Sequence, residues 1–355
     1  MGDNLGEAVE RMENVTWSGF QHGVNLGGWF SQCDYSEERY RSFICERDLQ
    51  TIAAWGLDHV RLPVDYNLVQ NEDGTLIESG FQYIQTVIDW CRAYGLNLIL
   101  DLHKTIGFSF DAGEAQTGFF KNESLQEYFY QLWEAFAVHF AEDLDILAFE
   151  LLNEVTDREY ASVWNRIARE CIRRIRKTAP EVPILVGGYW NNSIEAVPDL
   201  EEPCDEHIIY NFHCYDPLLF THQGAPWVQG MDHAFRFSIE QPMGELRRHT
   251  EAFRHAPAHD FDDMDPDQPL GAEYFLRRFE KAVEVAKQRH VRLYCGEYGV
   301  IDRASPEDAL KWYEAIHQAF ETYGIGRAAW SYREMDFGIS DPRMDSVRSR
   351  LIELL

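Results

Sequence analysis

Eight short apolar runs, separated by segments of helical period, constrain the fold of this chain more than any other feature. They are HGVNLGGWF from His22, DHVRLPV from Asp58, LNLILDLH from Leu96, LAFELLNE from Leu147, PILVGGYW from Pro183, HIIYNFHCY from His207, VRLYCGEYG from Val291 and GRAAWSY from Gly326. Continuous apolar runs of this length read as strands buried on both faces of a parallel sheet. Between most of them one helical face collects the apolar residues. Tyr83, Val87, Ile88 and Cys91 form one such face; Leu125, Tyr128, Phe129, Leu132 and Phe136 a second; Val163, Ile167, Cys171, Ile172 and Ile175 a third. Gly56, Gly95 and Gly324 fall where a helix ends before a strand. Thr156 with Glu159 fits a capping box, and Ser305-Pro306 with Asp308 fits an N-cap, an N1 proline and an acidic third position. Alternating β and α with short connections implies right-handed crossovers, and eight such units close a barrel. The expectation is an α/β fold: one (β/α)8 TIM barrel over residues 1–355, a normal length for a single barrel with an insertion.

One connection breaks the pattern. The stretch from Pro217 to Leu270 separates strand six from its helix and is far longer than an ordinary βα loop. It starts with THQGAPW, has room for a short helix at Met243 to Phe253, and ends in the acidic HDFDDMDPDQP. Because βα loops lie on the catalytic face of a barrel, residues 217–270 are expected to form an inserted lid or subdomain over the cleft.

The composition excludes some partners. With 60 acidic against 32 basic residues the net charge is −28, so nucleic acid and anionic membrane would be repelled, whereas a neutral glycan would not. The N-terminal MGDNLGEAVERMENV has no apolar core of a secretory signal, and no run is long enough to span a bilayer. Seven cysteines with no CxxC pair read as reduced thiols rather than a disulfide framework or zinc site. A cytoplasmic monomer without metal or cofactor is expected, or a secreted one if a leader has been removed.

The strand ends carry the chemistry. Strand two ends in Arg61-Leu62-Pro63, strand three in Asp101-Leu102-His103, strand four in Asn153-Glu154, strand six in His213-Cys214-Tyr215 and strand seven in Gly296-Glu297-Tyr298, while strand eight contains Trp330. In a barrel these positions converge at the C-terminal mouth. Glycoside hydrolysis requires one carboxylic acid to protonate the leaving oxygen and one carboxylate to attack, roughly 5 to 5.5 Å apart in a retaining enzyme. Glu154 and Glu297 supply such a pair. Arg61 and Tyr215 suit the ionised partner, Asn153 a sugar hydroxyl, and Trp330 and Trp227 the apolar face of a pyranose.

The chain resembles glycoside hydrolase family 5, in particular its endoglucanase C-type members, through GVNLGGWFSQ, DHVRLPVDY, LILDLH, FELLNE, YNFHCYDPLLFTHQ, YCGEYGV and WSYREMDFGI. The likeness runs from about Gly23 to beyond Phe337. It implies a cofactor-free retaining mechanism on β-1,4-linked cellulosic and mixed-linkage glucans, with Glu154 as acid/base and Glu297 as nucleophile. Arg61, His103, Asn153, His213, Tyr215 and Trp330 resemble the residues that surround such a pair. Similar members also carry an inserted subdomain after strand six. The loop from Lys104 to Gly118 and the acidic end of the insertion depart from the pattern. Two alternatives stay open within the family, an exo-β-1,3-glucanase or β-glucosidase and a β-mannanase; a non-catalytic carbohydrate-binding barrel is a third. No HExxH or G-x-S-x-G motif points to a metal or serine hydrolase.

Overall fold

The computed structural model describes residues 17–111 and 118–355. The N-terminal MGDNLGEAVERMENV and the middle of the Lys104–Gly118 loop lie outside the described residues. Eight strands form a closed, all-parallel barrel in chain order: β1 (His22–Asn25), β2 (His59–Asp65), β3 (Asn97–Lys104), β4 (Leu147–Glu150), β5 (Ile184–Val186), β6 (Ile208–Cys214), β7 (Arg292–Tyr298) and β8 (Gly326–Ala329). Every expected strand forms. Closure is made by β8 against β1, where Gly23 pairs with Ala328.

Around the barrel run α1 (Glu46–Ala54), α2 (Glu78–Tyr94), α3 (Glu123–His139), α4 (Ala161–Ile175), α5 (Met243–Arg254), α6 (Ala272–Gln288), α7 (Pro306–Tyr323) and α8 (Arg348–Ile352). The buried faces follow the helical period. Phe81, Ile84, Val87, Ile88 and Cys91 of α2 turn inward, as do Trp164, Ile167, Cys171, Ile172 and Ile175 of α4. Tyr83, Leu125, Tyr128 and Val163 sit at the edges of their faces and are only half-buried. Gly95 and Gly324 end α2 and α7 at φ 71° and 64°, the left-handed conformation that glycine adopts without a Cβ clash. Ser305 caps α7 by accepting from the Asp308 amide at 3.0 Å.

Two expectations need correction. The Thr156–Glu159 capping box does not form. The chain first makes a 3-10 turn at Arg158–Tyr160, α4 starts only at Ala161, and the Thr156 hydroxyl donates to Asp157 instead. The fifth unit also lacks a long helix: β5 and β6 are joined through a left-handed turn and a 3-10 segment at Ile194–Asp199.

The stretch after β6 is packed rather than loose. Met231, Phe237, Ile239, Met243, Leu246, Phe261 and Leu270 are buried in it, and Met243–Arg254 is helical as its sequence suggests. All seven cysteines are unpaired. Among the described residues no helix is long and apolar enough to cross a membrane.

Candidate active site

At the C-terminal mouth of the barrel lies a cleft of about 1040 Å³, lined among others by His103, Glu154, His213, Tyr215, Trp227, Glu297 and Trp330. Six of these seven come from strands or the residues that directly follow them; Trp227 comes from the long stretch after β6. Arg61 and Asn153 adjoin the cleft residues and are both fully buried. All nine residues singled out from the sequence therefore meet at this one end of the barrel.

Two backbone irregularities aim the glutamates. Along β7 the register slips, so that Phe212 pairs with Cys295 but His213 with Glu297, leaving Gly296 as the extra residue of a bulge. A Cβ on Gly296 would lie 2.8 Å from Asn211 Oδ1 and 3.0 Å from His213 Nε2, so the close approach requires glycine. Glu154 has φ 44°, a left-handed conformation costing on the order of 1–2 kcal/mol in a non-glycine residue. Both glutamates line the cleft.

Beneath them Arg61 uses its whole guanidinium. It donates to Glu150 through Nε (2.7 Å) and Nη2 (2.8 Å), to Asn25 and Glu297 through Nη1 (2.9 and 2.8 Å), and to Asn153 through Nη2 (2.9 Å). Asp101 lies 3.0 Å from Nη2 and also contacts His103 Nδ1 at 2.5 Å. Asn211 donates to Glu150 at 2.8 Å and accepts from the Gly296 amide at 2.9 Å. Asn25, Asp101, Glu150 and Asn211 were not singled out from the sequence as site residues. Their signal was a polar residue inside an otherwise apolar strand, which must find a partner when buried.

The two glutamates have different neighbours. Glu297 receives Arg61 on Oε1 and the Tyr215 hydroxyl on Oε2 at 2.9 Å. Glu154 receives the Asn191 amide on Oε2 at 3.0 Å and faces His213 Nδ1 across 2.8 Å on Oε1. Burial pushes both carboxyl groups up to about 7. Two acids this close titrate as a pair. Among the described residues, only Glu297 of the two accepts a hydrogen bond from a cation, a contact that favours its ionised form. Burial also pushes His213 down to about 4, which leaves its ring neutral at neutral pH.

One donor atom from each of Glu154, His213 and Glu297 lies within 4.8 Å of the others. That spacing could hold a cation, but Arg61 already supplies positive charge to Glu297. One oxygen of Glu154 and one of Glu297 are thus close enough for both carboxyl groups to reach a single glycosidic bond.

Trp330 is only 6% exposed. Its ring lies parallel to His103, with centroids 5.8 Å apart, and a Cβ on Gly27 would approach it to 2.8 Å. Trp227 is 43% exposed at the rim.

Comparison with known proteins agrees with this architecture. The family model for cellulase (glycosyl hydrolase family 5) matches residues 11–336. Cellodextrinase A of Ruminococcus flavefaciens is 48% identical over 309 residues, 87% of this chain and 84% of its own. Endoglucanase C of Acetivibrio thermocellus is 35% identical over 339 residues, 95% of this chain and 98% of its own. Among solved structures, Thermotoga maritima Cel5A in complex with cellobiose superposes with a TM-score of 0.75 at 21% identity, covering 97% of this chain and 98% of that one, a likeness of fold. The chain belongs to glycoside hydrolase family 5, the cellulase family.

Proposed function

We propose that this protein is a retaining endo-β-1,4-glucanase, with Glu154 as acid/base and Glu297 as nucleophile, acting on cellulosic and mixed-linkage glucans. The observation that carries the reading is the close pair of cleft carboxylates with unlike partners. Glu297, held ionised by Arg61 and Tyr215, attacks C1 of the sugar, while Glu154 gives its proton to the leaving oxygen. The glycosyl-enzyme that results has no charge on Glu297, so Glu154 loses its proton more readily and serves as base for the incoming water. Among the described residues Asn153 Nδ2 is buried without a hydrogen-bond partner, which suits a sugar hydroxyl whose contact tightens in the transition state. Trp330 and Trp227 offer aromatic faces to pyranose rings.

The β-1,4-glucan substrate class rests on the cellodextrinase and the endoglucanase that match this chain over most of their length. Neither carries the name of an exo-β-1,3-glucanase, a β-glucosidase or a β-mannanase. A carbohydrate-binding barrel without catalysis would not need both carboxylates. Residues 217–270 act in this reading as a wall over the cleft: Leu218, His222, Trp227, Val228 and Arg254 line it. The test is parallel release of reducing sugar from carboxymethylcellulose, lichenan, laminarin and mannan, with the product anomer followed by NMR. Release from the first two with initial β-anomer is expected; an initial α-anomer would sink the retaining mechanism.

A further inference from the structure

The turn that replaces the fifth helix carries three consecutive residues with positive φ: Trp190 at 52°, Asn191 at 57° and Asn192 at 55°. Asparagine tolerates this region better than most residues, and three in a row still store strain. The turn is tied to the segment that follows Glu154, because the Trp190 amide donates to the Thr156 carbonyl and the Asn191 amide to that of Val155, each at 3.0 Å. It delivers one side chain to the Glu154 carboxyl and a second to His213 beside it. Asn191 Nδ2 donates directly to Oε2 at 3.0 Å, and Asn192 Nδ2 approaches His213 Nε2 at 3.4 Å behind the His213–Oε1 contact.

We propose that Asn191 is a positioning residue for the reaction: its amide orients the Glu154 carboxyl, makes Oε2 the oxygen that delivers the proton, and stabilises the carboxylate left behind. This rests on Glu154 being the acid/base. With the Asn192 amide turned toward Nε2, the hydrogen of neutral His213 is assigned to Nδ1 and is donated to Oε1. The catalytic proton then sits on Oε2. As it moves to the leaving oxygen, the C1–O electron pair goes to that oxygen and a Glu297 oxygen bonds to C1. Glu154 is left ionised, and the Asn191 hydrogen bond strengthens because its acceptor now carries charge. An interaction that strengthens along the reaction raises kcat rather than only lowering KM. Among the described residues the charged and titratable groups facing Glu154 are otherwise Arg61, Asp101, Asp111, Glu150, His213, Tyr215 and Glu297, and Asn191 is the side-chain amide that donates to it directly.

The test uses Asn191→Gly and Asn191→Asp, both of which accept a positive φ. The basic limb of kcat/KM against pH on a cello-oligosaccharide reports loss of the Glu154 proton. Removing the donor in Asn191→Gly should move that limb up by about one pH unit, and the extra carboxylate of Asn191→Asp should move it further. On the same oligosaccharide kcat should fall about tenfold in Asn191→Gly, while the burst of dinitrophenol from 2,4-dinitrophenyl cellobioside, which needs no proton, should stay within about twofold. A basic limb that stays at the wild-type pH in both variants overturns the proposal, as does a burst that falls in step with oligosaccharide turnover. Glu154→Gln is run alongside. If it keeps wild-type activity on glucan, the acid/base reading itself fails; if it is inactive and the limb is unmoved, only the role of Asn191 fails.

Discussion

Arg61 and Glu150 are joined by two parallel hydrogen bonds, Nε to Oε2 at 2.7 Å and Nη2 to Oε1 at 2.8 Å, and both residues are completely buried under the cleft glutamates. The fork geometry is what only arginine provides. Arg61→Lys should keep the charge yet lose the simultaneous contacts to Glu150, Asn25, Asn153 and Glu297. Glu150→Gln should leave the guanidinium under-compensated and cost about 3–5 kcal/mol, as breaking a buried pair does. Urea unfolding reads the stability, and kcat should fall in Arg61→Lys even where the fold survives. Wild-type kcat in Arg61→Lys would show that the network only holds the barrel together.

Trp330 has a double role that its sequence position alone did not reveal. It lines the cleft, but it is also packed with Ala225, Ile301 and Phe337 in a small core of its own. Trp330→Ala should therefore lower stability by about 3–5 kcal/mol, as truncating a buried tryptophan does, as well as weaken binding. Calorimetry with and without cello-oligosaccharide separates the two losses. An unchanged Tm would mean that the ring is held by nothing but substrate.

The barrel was legible because a parallel sheet buried on both faces leaves eight unbroken apolar runs, and the residues at their ends have one place to go. The glutamates, Arg61, His213 and Tyr215 were legible for the same reason. Glu150 and Asn211 were not, since a polar residue within a strand gives no hint of which neighbour will satisfy it. Asn191 was hidden more deeply. The paired glycines and asparagines of GGYWNN allow a turn but do not say that it is left-handed through three residues, and the contact with Glu154 depends on the fifth crossover lacking a helix. The Thr156–Glu159 box failed because local capping chemistry lost to the tie between this loop and the turn beside it.

Trp227 tests the wall over the cleft with little risk to the fold, because 43% of it is exposed. Trp227→Ala should raise KM on long glucans about three- to tenfold, equivalent to losing about 1 kcal/mol of ring contact. Thermal stability should barely move. Removing 224–266 behind a short linker is the harsher version and should raise KM further. If KM on every glucan stays unchanged in both variants, this stretch does not touch substrate.

Burial of both glutamates has a consequence for stability against pH. Each carboxyl is pushed up from 4.5 to about 7 in the folded chain, so between those values the folded state binds more protons than the unfolded one. Stability supplied by the protonated forms is thus fully present below about 4.5 and is lost as pH rises through about 7. Tm should fall over that interval in the wild type, and Glu154→Gln should flatten the fall. A slope identical in the variant would show that Glu154 ionises as freely when folded as when unfolded.

The roles of the two glutamates can be separated chemically. Glu154→Ala removes the proposed proton donor, so turnover of glucan should collapse, while the first step on an aryl glycoside whose leaving group needs no protonation should survive. Azide, small enough to enter the space vacated and needing no base, should then restore turnover and yield a β-glycosyl azide. Glu297→Ala removes the proposed attacking group, so both substrates should be inert, and azide should give only the α-product by direct displacement. In the wild type kcat/KM should follow a bell around neutral pH. Its acid limb is set by protonation of the pair that extinguishes Glu297, and its basic limb by loss of the last proton from Glu154, because burial raises both groups to about 7 and their mutual repulsion spreads the two steps apart. A β-azide from Glu297→Ala and none from Glu154→Ala would mean that the roles are exchanged.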